Sequence, residues 1–331
     1  SQEVAAERIL NAVREDIFLT RAGPVAVSVT LGGVIAPRHA DTLAAMMGRA
    51  QEALDGIKVR RRGAFQIYAP SLERERARQE NLKITDEIVS ALNDRRISLA
   101  FQPIVTAGPE RRTAYYECLL RIRRPDGTLL PAAAIVPLAE KLGLVRLVDA
   151  RVLELTMAEL IAAPDLRLSV NVSPATTMDM SWLRALEAYH RTHPGAVERL
   201  MVEITETSAI ADVEDSRRFV ARVQTLGCRV AIDDFGAGHT SFRNLRKLGV
   251  DCVKIDGAYV ATFHGSEDDR HFVQTLLSLA RHMKLTTIAE WVPNEDVARQ
   301  LAELGCDYLQ GDHTGAACEE RPWRSAAAGD D

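Results

Sequence analysis

Hydrophobic and polar positions follow two regimes along the chain, with the change near residue 94. Before it, Val4, Ile9, Leu10 and Val13 recur at helix-face spacing within residues 1–22. Val25–Leu31 alternates large apolar with small residues, as a half-buried strand does. Ala40–Leu54 returns to helical spacing and Gly63–Tyr68 reads as a short strand. This helix–strand–helix–strand block of about seventy residues is small for a free-standing domain. Leu72–Lys83 is heavily charged, and apolar positions resume at Ile84, Ile88 and Leu92. The spacing predicts a connecting helix over 71–93, with Ser71 as its cap and Glu73 and Glu75 in its first turn. The domain boundary is placed there.

Beyond residue 94, short apolar runs ending in a polar residue alternate with helical stretches. The strand candidates are Leu99–Pro103, Ala114–Arg121, Leu168–Ser173, Leu200–Glu206, Val230–Asp234, Cys252–Asp256, Thr286–Glu290 and Asp307–Gln310. Amphipathic stretches such as Asp149–Ala162, Asp215–Leu226 and His271–Met283 lie between them. The polar ends at 171, 203 and 233 are separated by 32 and 30 residues. A barrel of about 250 residues divides into eight units of roughly that length. The alternation implies a mainly parallel sheet with right-handed crossovers, and eight candidates favour a TIM-like (β/α)₈ barrel over a doubly wound open sheet.

In such a barrel the C-terminal strand ends converge on one face. Here they carry Glu117, Asn171, Glu203, Asp233, Asp234, Lys254, Glu290 and Gln310. Asp233-Asp234, before the glycine-punctuated Phe235–Phe242 loop, would alone fit an Asx-turn or a metal site equally well. Five carboxylates facing one another need cations, or some must be protonated. All-oxygen ligands favour Mg²⁺ or Mn²⁺ over zinc, and paired metals suit in-line attack on a phosphodiester. Other readings stay open for single residues. Gln310 before Gly311 can cap a turn and Asp256 can be a helix N-cap; Lys254 can be a salt-bridge partner or a Schiff-base lysine.

Composition changes this picture little. The 331 residues are 47% hydrophobic and 26% charged with a net charge of −5, ordinary for a soluble protein, and the mildly acidic balance argues against a nucleic-acid polymer as partner. Lys58–Arg62 reads as a solvated turn, and His190 and His193 as surface histidines. No apolar run approaches the ~20 residues of a membrane span, and Ser1 does not begin a signal peptide. Cys118, Cys228, Cys252, Cys306 and Cys318 are odd in number and lack C-x-x-C spacing, which indicates neither a disulfide framework nor a zinc site. A cytoplasmic setting is expected, with a longer, membrane-attached protein left open.

Residues 83–323 resemble an EAL domain, the family of cyclic di-GMP phosphodiesterases. The resemblance rests on FQPIV (101–105), ECLLR (117–121), VNVSP (170–174), VEITET (202–207), AIDDFGAGHTSF (231–242), VKIDGAYV (253–260), AEWV (289–292) and GCDYLQG (305–311). It implies a barrel with one antiparallel strand and a two-metal site using Mg²⁺ or Mn²⁺. Glu117, Asn171, Glu203 and Asp233 match the ligands of one metal, and Asp233 and Asp234 the pair serving the second. Lys254 matches the lysine that orients the attacking water, with Glu290 and Gln310 around the metals and that water. Glu206 matches the anchor of the loop after Asp234, through which dimer contacts reach the metals. Gln102, Leu120 and Arg121 match substrate contacts, and Asp256 is placed with them.

Several positions depart from the family pattern: Cys118, Ile122, Trp291, Pro293, Asp312 and the DHTGAACEERP ending. They leave the metal set whole and alter the rim where a guanine base would lie. VAVSVTLGGVIA (25–36) and residues 40–69 resemble the back half of a GGDEF diguanylate cyclase domain, without its signature turn. The expected organisation is a partial GGDEF-like segment over 1–69, a charged linker helix over 70–82, the EAL barrel over 83–323 and a disordered tail over 324–331. The expected function is metal-dependent hydrolysis of cyclic di-GMP to linear pGpG by a homodimer. A catalytically silent cyclic di-GMP receptor is the alternative, and a scaffold using neither nucleotide nor metal is a third.

Overall fold

The structure, a computed structural model, describes residues 2–21, 23–60, 62–69, 72–237 and 242–326. The chain divides into two units, Ser1–Asn81 and Leu82–Asp331.

The first unit holds α1 (Gln2–Glu15), β1 (Ile17–Thr20), β2 (Gly23–Ala26), β3 (Leu31–Gly33), α2 (Leu43–Arg60) and β4 (Phe65–Ile67). β1 and β2 form an antiparallel hairpin; β3 and β4 are parallel, joined through α2. The helical pattern that opens residues 1–22 is α1, and the hairpin after Glu15 is an element the spacing does not announce. Thr20 and Gly23 close a tight hairpin there, Thr20 Oγ1 donating to the Gly23 carbonyl (2.8 Å). The single strand expected over Val25–Leu31 splits, because its two ends pair with different partners. Lys58–Arg60 continue α2 instead of forming a turn; Arg61 lies outside the described residues.

α3 (Leu72–Asn93) is one 22-residue helix, and its expected cap, Ser71, lies outside the described residues. The second unit continues with β5 (Ile97–Thr106), β6 (Thr113–Arg123), β7 (Leu129–Pro131), α4 (Ala132–Lys141), α5 (Val145–Ala162), β8 (Leu168–Asn171), α6 (Pro174–Thr177), α7 (Met180–Thr192), α8 (Pro194–Val197) and β9 (Leu200–Thr205). Then come α9 (Glu206–Ala211), α10 (Val213–Thr225), β10 (Arg229–Phe235), α11 (Phe242–Leu248), β11 (Cys252–Ile255), α12 (Gly257–Thr262), α13 (Glu267–His282), β12 (Thr286–Ala289), α14 (Glu295–Glu303), β13 (Tyr308–Leu309) and α15 (Pro322–Ala326). α15 reaches into the tail expected to be disordered, and residues 327–331 lie outside the described residues.

Eight strands close into a barrel in the order β5-β6-β8-β9-β10-β11-β12-β13, with β13 returning to β5. β5 runs antiparallel to both of its neighbours, and the other seven strands are mutually parallel. The short β7 pairs with the far end of β6. α10 and α13 begin earlier than their apolar spacing suggests, because Asp212 and Ser266 accept hydrogen bonds from first-turn amides.

Two apolar layers sit on opposite faces of the strands. The outer one packs strands against helices and takes in Ile84, Ile88 and Ala91 of α3. The inner one is a compact cluster of Ile104, Tyr115, Met201, Ala231, Cys252 and Ile288, with Tyr308 packed against it.

Candidate active site

Side chains alternate between faces along a strand, so the residue two positions on from an inner-layer residue also faces inward. Two positions beyond Tyr115, Met201, Ala231, Cys252, Ile288 and Tyr308 stand Glu117, Glu203, Asp233, Lys254, Glu290 and Gln310. On the antiparallel β5 the count runs backwards, from Ile104 to Gln102, which lies opposite Glu117 in the ladder. The polar mouth is thus the next tier of the same barrel interior. The apolar tier beneath closes it from below.

Lys254 is the hub. Its ammonium, in a side chain 1% exposed, lies 2.8 Å from Glu203 Oε2, 2.9 Å from Glu290 Oε1, 3.0 Å from Asp233 Oδ1 and 3.2 Å from Glu117 Oε2. Asn171 Nδ2 donates to Glu117 Oε1 (2.7 Å), and Gln310 Nε2 donates to Glu117 Oε2 (2.6 Å) and Gln102 Oε1 (3.1 Å). One connected network therefore holds Gln102, Glu117, Asn171, Glu203, Asp233, Lys254, Glu290 and Gln310.

Asp234 joins through a β-bulge. Ile232 pairs with Val253 and Phe235 with Ile255, so Asp233 and Asp234 together oppose Lys254 alone. A bulge of this kind frees consecutive side chains from strict alternation. Asp234 takes a left-handed backbone (φ 55°), and carboxylate oxygens of Asp233, Asp234 and Glu290 all lie within 4.8 Å of one another. This trio could hold a metal ion.

The electrostatics show an excess of negative charge. Burial pushes the Glu203 carboxyl up to about 8 against the pull of Lys254, with Glu117 and Asp233 adding to the rise. Burial also holds Glu290 well above the ordinary carboxylate range, again against Lys254 and with help from Asp233 and Glu117. Asp234 rises to about 6 through partial desolvation, then the charges of Asp233 and Asp256. For Glu117, burial is outweighed by Lys254, Gln310 and Asn171, and its carboxyl falls below the ordinary value. Lys254 is held protonated, because its four carboxylates outweigh the cost of burial. Among the described residues, no hydrogen bond reaches Glu203 Oε1, Asp233 Oδ1 or Gln310 Oε1, all buried; the Asp233 atom only lies off-axis beside the lysine. Orphaned buried oxygens in an all-oxygen donor set fit a hard divalent cation.

The remaining sequence candidates stand outside this network. Glu206, buried at the start of α9, accepts from the Gly236 amide (2.7 Å) just after the aspartate pair. Asp256 accepts from the Ala258 amide (2.8 Å) and caps α12. Leu120 is buried, and its carbonyl accepts from Arg121 Nη1 (2.8 Å). Ile122, expected at the rim, is fully buried in the outer core, and Cys118 faces that core too. Gly238–Ser241 of the expected coupling loop lie outside the described residues.

Sequence reading missed three supports. Tyr259, four residues past the end of β11, donates its hydroxyl to the Gly236 carbonyl (3.0 Å). Buried Asp149 accepts from the Ser173 amide (3.0 Å) and hydroxyl (2.6 Å), fixing the turn after Asn171. The unusual C-terminal ending folds back along β5: Gln102 Nε2 donates to the Gly315 carbonyl (3.2 Å), and Phe101 and Cys318 exchange backbone hydrogen bonds. Tyr259 and Ser173 both lie within quoted motifs and Gly315 within the divergent ending; Asp149 gave no local signal.

The family model described as "EAL domain" matches residues 85–317. The chain belongs to the EAL-domain family. Among curated relatives, this EAL chain is 30% identical over 257 residues to "Cyclic di-GMP phosphodiesterase PdeF" of Escherichia coli, covering 76% of this chain and 33% of that protein. It is 27% identical over 311 residues to "Bifunctional diguanylate cyclase/cyclic di-GMP phosphodiesterase MucR" of Pseudomonas aeruginosa, covering 92% of this chain and 45% of that protein. The chain therefore spans less than half the length of these relatives. A solved structure titled "PaMucR Phosphodiesterase, c-di-GMP complex" superposes with a TM-score of 0.67 at 28% identity, covering 71% of this chain and 97% of that one.

Proposed function

We propose that this EAL domain is a metal-dependent phosphodiesterase that hydrolyses cyclic di-GMP to linear pGpG. The observation that carries the reading is the single buried ammonium of Lys254 set among four carboxylates, with orphaned oxygens beside it, at the mouth of an EAL barrel. Membership of the family, and relatives named as cyclic di-GMP phosphodiesterases, supply the substrate class.

Glu117, Asn171, Glu203 and Asp233 would hold one divalent cation, and Asp233, Asp234 and Glu290 a second, with Mg²⁺ or Mn²⁺ as the ions. Bound there, such ions polarise phosphoryl oxygens and acidify water. Lys254 would orient the attacking water and meet charge growing on the phosphoryl group where cations take over part of its carboxylate contacts. Glu290, 2.9 Å from the Lys254 ammonium, would help place that water. Gln310 and Gln102 set the position of Glu117. Attack of water on phosphorus breaks one P–O3′ bond, and the released 3′-oxygen takes up a proton. Arg121, half-buried on the same strand as Glu117, suits a phosphate oxygen. Leu120 and Asp256 complete the substrate set.

Glu206, with Tyr259 on the carbonyl of the same residue, Gly236, would tie the loop after Asp234 to a homodimer contact made through the barrel. The GGDEF-like unit would serve as a packing or regulatory element, and the protein would work in the cytoplasm, within a longer membrane-attached chain or alone. Among the described residues no helix is long and apolar enough to cross a membrane. One observation favours a receptor without turnover: the rim carries an exposed Trp291 in a left-handed backbone and an exposed Asp312.

Purified protein given cyclic di-GMP with Mg²⁺ or Mn²⁺ should release pGpG, and Glu117→Gln and Lys254→Met should each abolish it. Folded protein that forms no product with either ion would sink the hydrolase reading; tight calorimetric binding without product would establish the receptor.

A further inference from the structure

Trp291 follows Glu290 directly and has no evident structural reason to be tryptophan. It is 62% exposed, whereas Trp182 is 2% exposed in the core. Its backbone sits in the left-handed region (φ 50°), which costs free energy for any residue but glycine. An exposed indole on a strained backbone returns little burial to offset that cost.

The surroundings fix it in place. The Glu290 amide donates to the Ile255 carbonyl (3.3 Å), and the Val292 amide donates to the Gln310 carbonyl (2.9 Å). The Val292 carbonyl accepts from the His313 amide (3.1 Å), and Val292 itself is fully buried. Beneath the indole lies Gly257, the first residue of α12. A Cβ built there would stand 2.2 Å from both Cγ and Cδ2 of Trp291 and 2.7 Å from Cδ1. Three atoms of one ring so close to a single point mean that the ring lies face-on over the Gly257 backbone. One face of the indole is sealed and the other is open to water, on a side chain adjacent to a carboxylate that touches Lys254.

A rigid aromatic face with one open side is the feature on which nucleobases stack, whatever their sequence. We propose that Trp291 is a stacking platform for one guanine base of the cyclic dinucleotide, whose phosphate lies over the Lys254 cluster. This rests on the phosphodiesterase reading for the identity of the ligand. It also gives the departure at position 291 a role: base affinity is placed on the Glu290–Val292 turn, and Gly257 is glycine to let the ring lie flat.

The test compares wild type with Trp291→Leu, Trp291→Gly and Trp291→Phe, using cyclic di-GMP as the probe. Leu keeps an apolar side chain but loses the stacking face, and Gly relieves the left-handed backbone. KM for cyclic di-GMP should rise about 5- to 150-fold in Leu and Gly, the range expected for losing one stacked base, with kcat held within about twofold. Phe should fall between. Cyclic di-GMP should quench the wild-type tryptophan fluorescence, and Trp291→Phe should lose that quench. Trp291→Gly should melt no lower than wild type, so its KM change reports binding and not unfolding. Unchanged KM in all three variants, with no quench in an active wild type, overturns the platform and leaves the hydrolase standing. Quenching by a wild type that forms no product keeps the platform and overturns the hydrolase. Neither quench nor product overturns both.

Discussion

Lys254 illustrates how one charge can be buried at a profit. An isolated ammonium in an apolar interior loses its proton, but four carboxylate oxygens within 3.2 Å hold this one charged. The carboxylates fare less well, since one cation cannot satisfy them all. Glu203, at about 8, keeps its proton in the folded protein at a pH where the unfolded chain has lost it at about 4.5. The unfolded state then binds fewer protons, so metal-free stability falls as pH rises from about 4.5 to about 8. Glu117 has the opposite sign: its contribution is present above its ordinary value and is lost as pH falls below it. Thermal melts in chelator across that window should show a declining Tm, shallower in Glu203→Gln. Mn²⁺ or Mg²⁺ should flatten the decline, because metal binds the deprotonated carboxylates. A chelated Tm that rises through the window would contradict this. The thiols give a second residue-scale expectation. Burial raises Cys306 to about 11 and Cys228 to about 12, and pushes Cys118 and Cys252 higher still, whereas Cys318 is partly exposed. At neutral pH one equivalent of a thiol reagent should react in the native protein, at Cys318, and five after denaturation.

At the scale of elements, most of the polar tier was legible because strand alternation is strict: Gln102, Glu117, Glu203, Asp233, Lys254, Glu290 and Gln310 each lie two positions from an apolar residue facing the same interior. What alternation cannot reveal is a change of direction or of register. The apolar run around Phe101 gives no sign that β5 is antiparallel, which is what sets Gln102 opposite Glu117. Nor do two adjacent aspartates announce a bulge, although without it Asp234 would face away from Asp233. Val25–Leu31 failed for a related reason, since an alternating run does not say where one pairing partner ends and the next begins. The turn after β13 makes a testable case of backbone fit. Gly311 has φ 153°, and a Cβ there would lie 2.2 Å from the Val292 nitrogen and 2.7 Å from its oxygen. These are backbone atoms that cannot swing aside. Gly311→Ala should cost about 1–3 kcal/mol, seen as a Tm lower by roughly 2–12 °C. It should also weaken metal binding, because Gln310 would no longer be held against Glu117. A variant that melts like wild type would show that the turn has slack.

For the molecule as a whole, the barrel has most of what it needs within its own unit. Closing β13 onto β5 leaves no long unpaired edge, and the outer core begins at Ile84. The first unit offers much less: among the described residues its buried apolar side chains are Ala6, Leu10, Ala40 and Ala53, while Ile17, Leu19, Leu43 and Met47 are largely exposed. A block of that size with so little buried surface is marginal by itself. Two calorimetric transitions should therefore appear, a small one at lower temperature and the barrel's main one above it. A chain starting at Leu72 should lose only the small transition and keep metal binding. One starting at Asn93 should lower the main transition as well, because Ile84 and Ile88 would leave the core at about 1.5–3 kcal/mol each. Ala91 would go with them. If the shorter chain melted no lower than the longer one, α3 would be a linker and not a wall of the barrel. If the Leu72 chain lost its metal affinity, the first unit would be acting on the mouth.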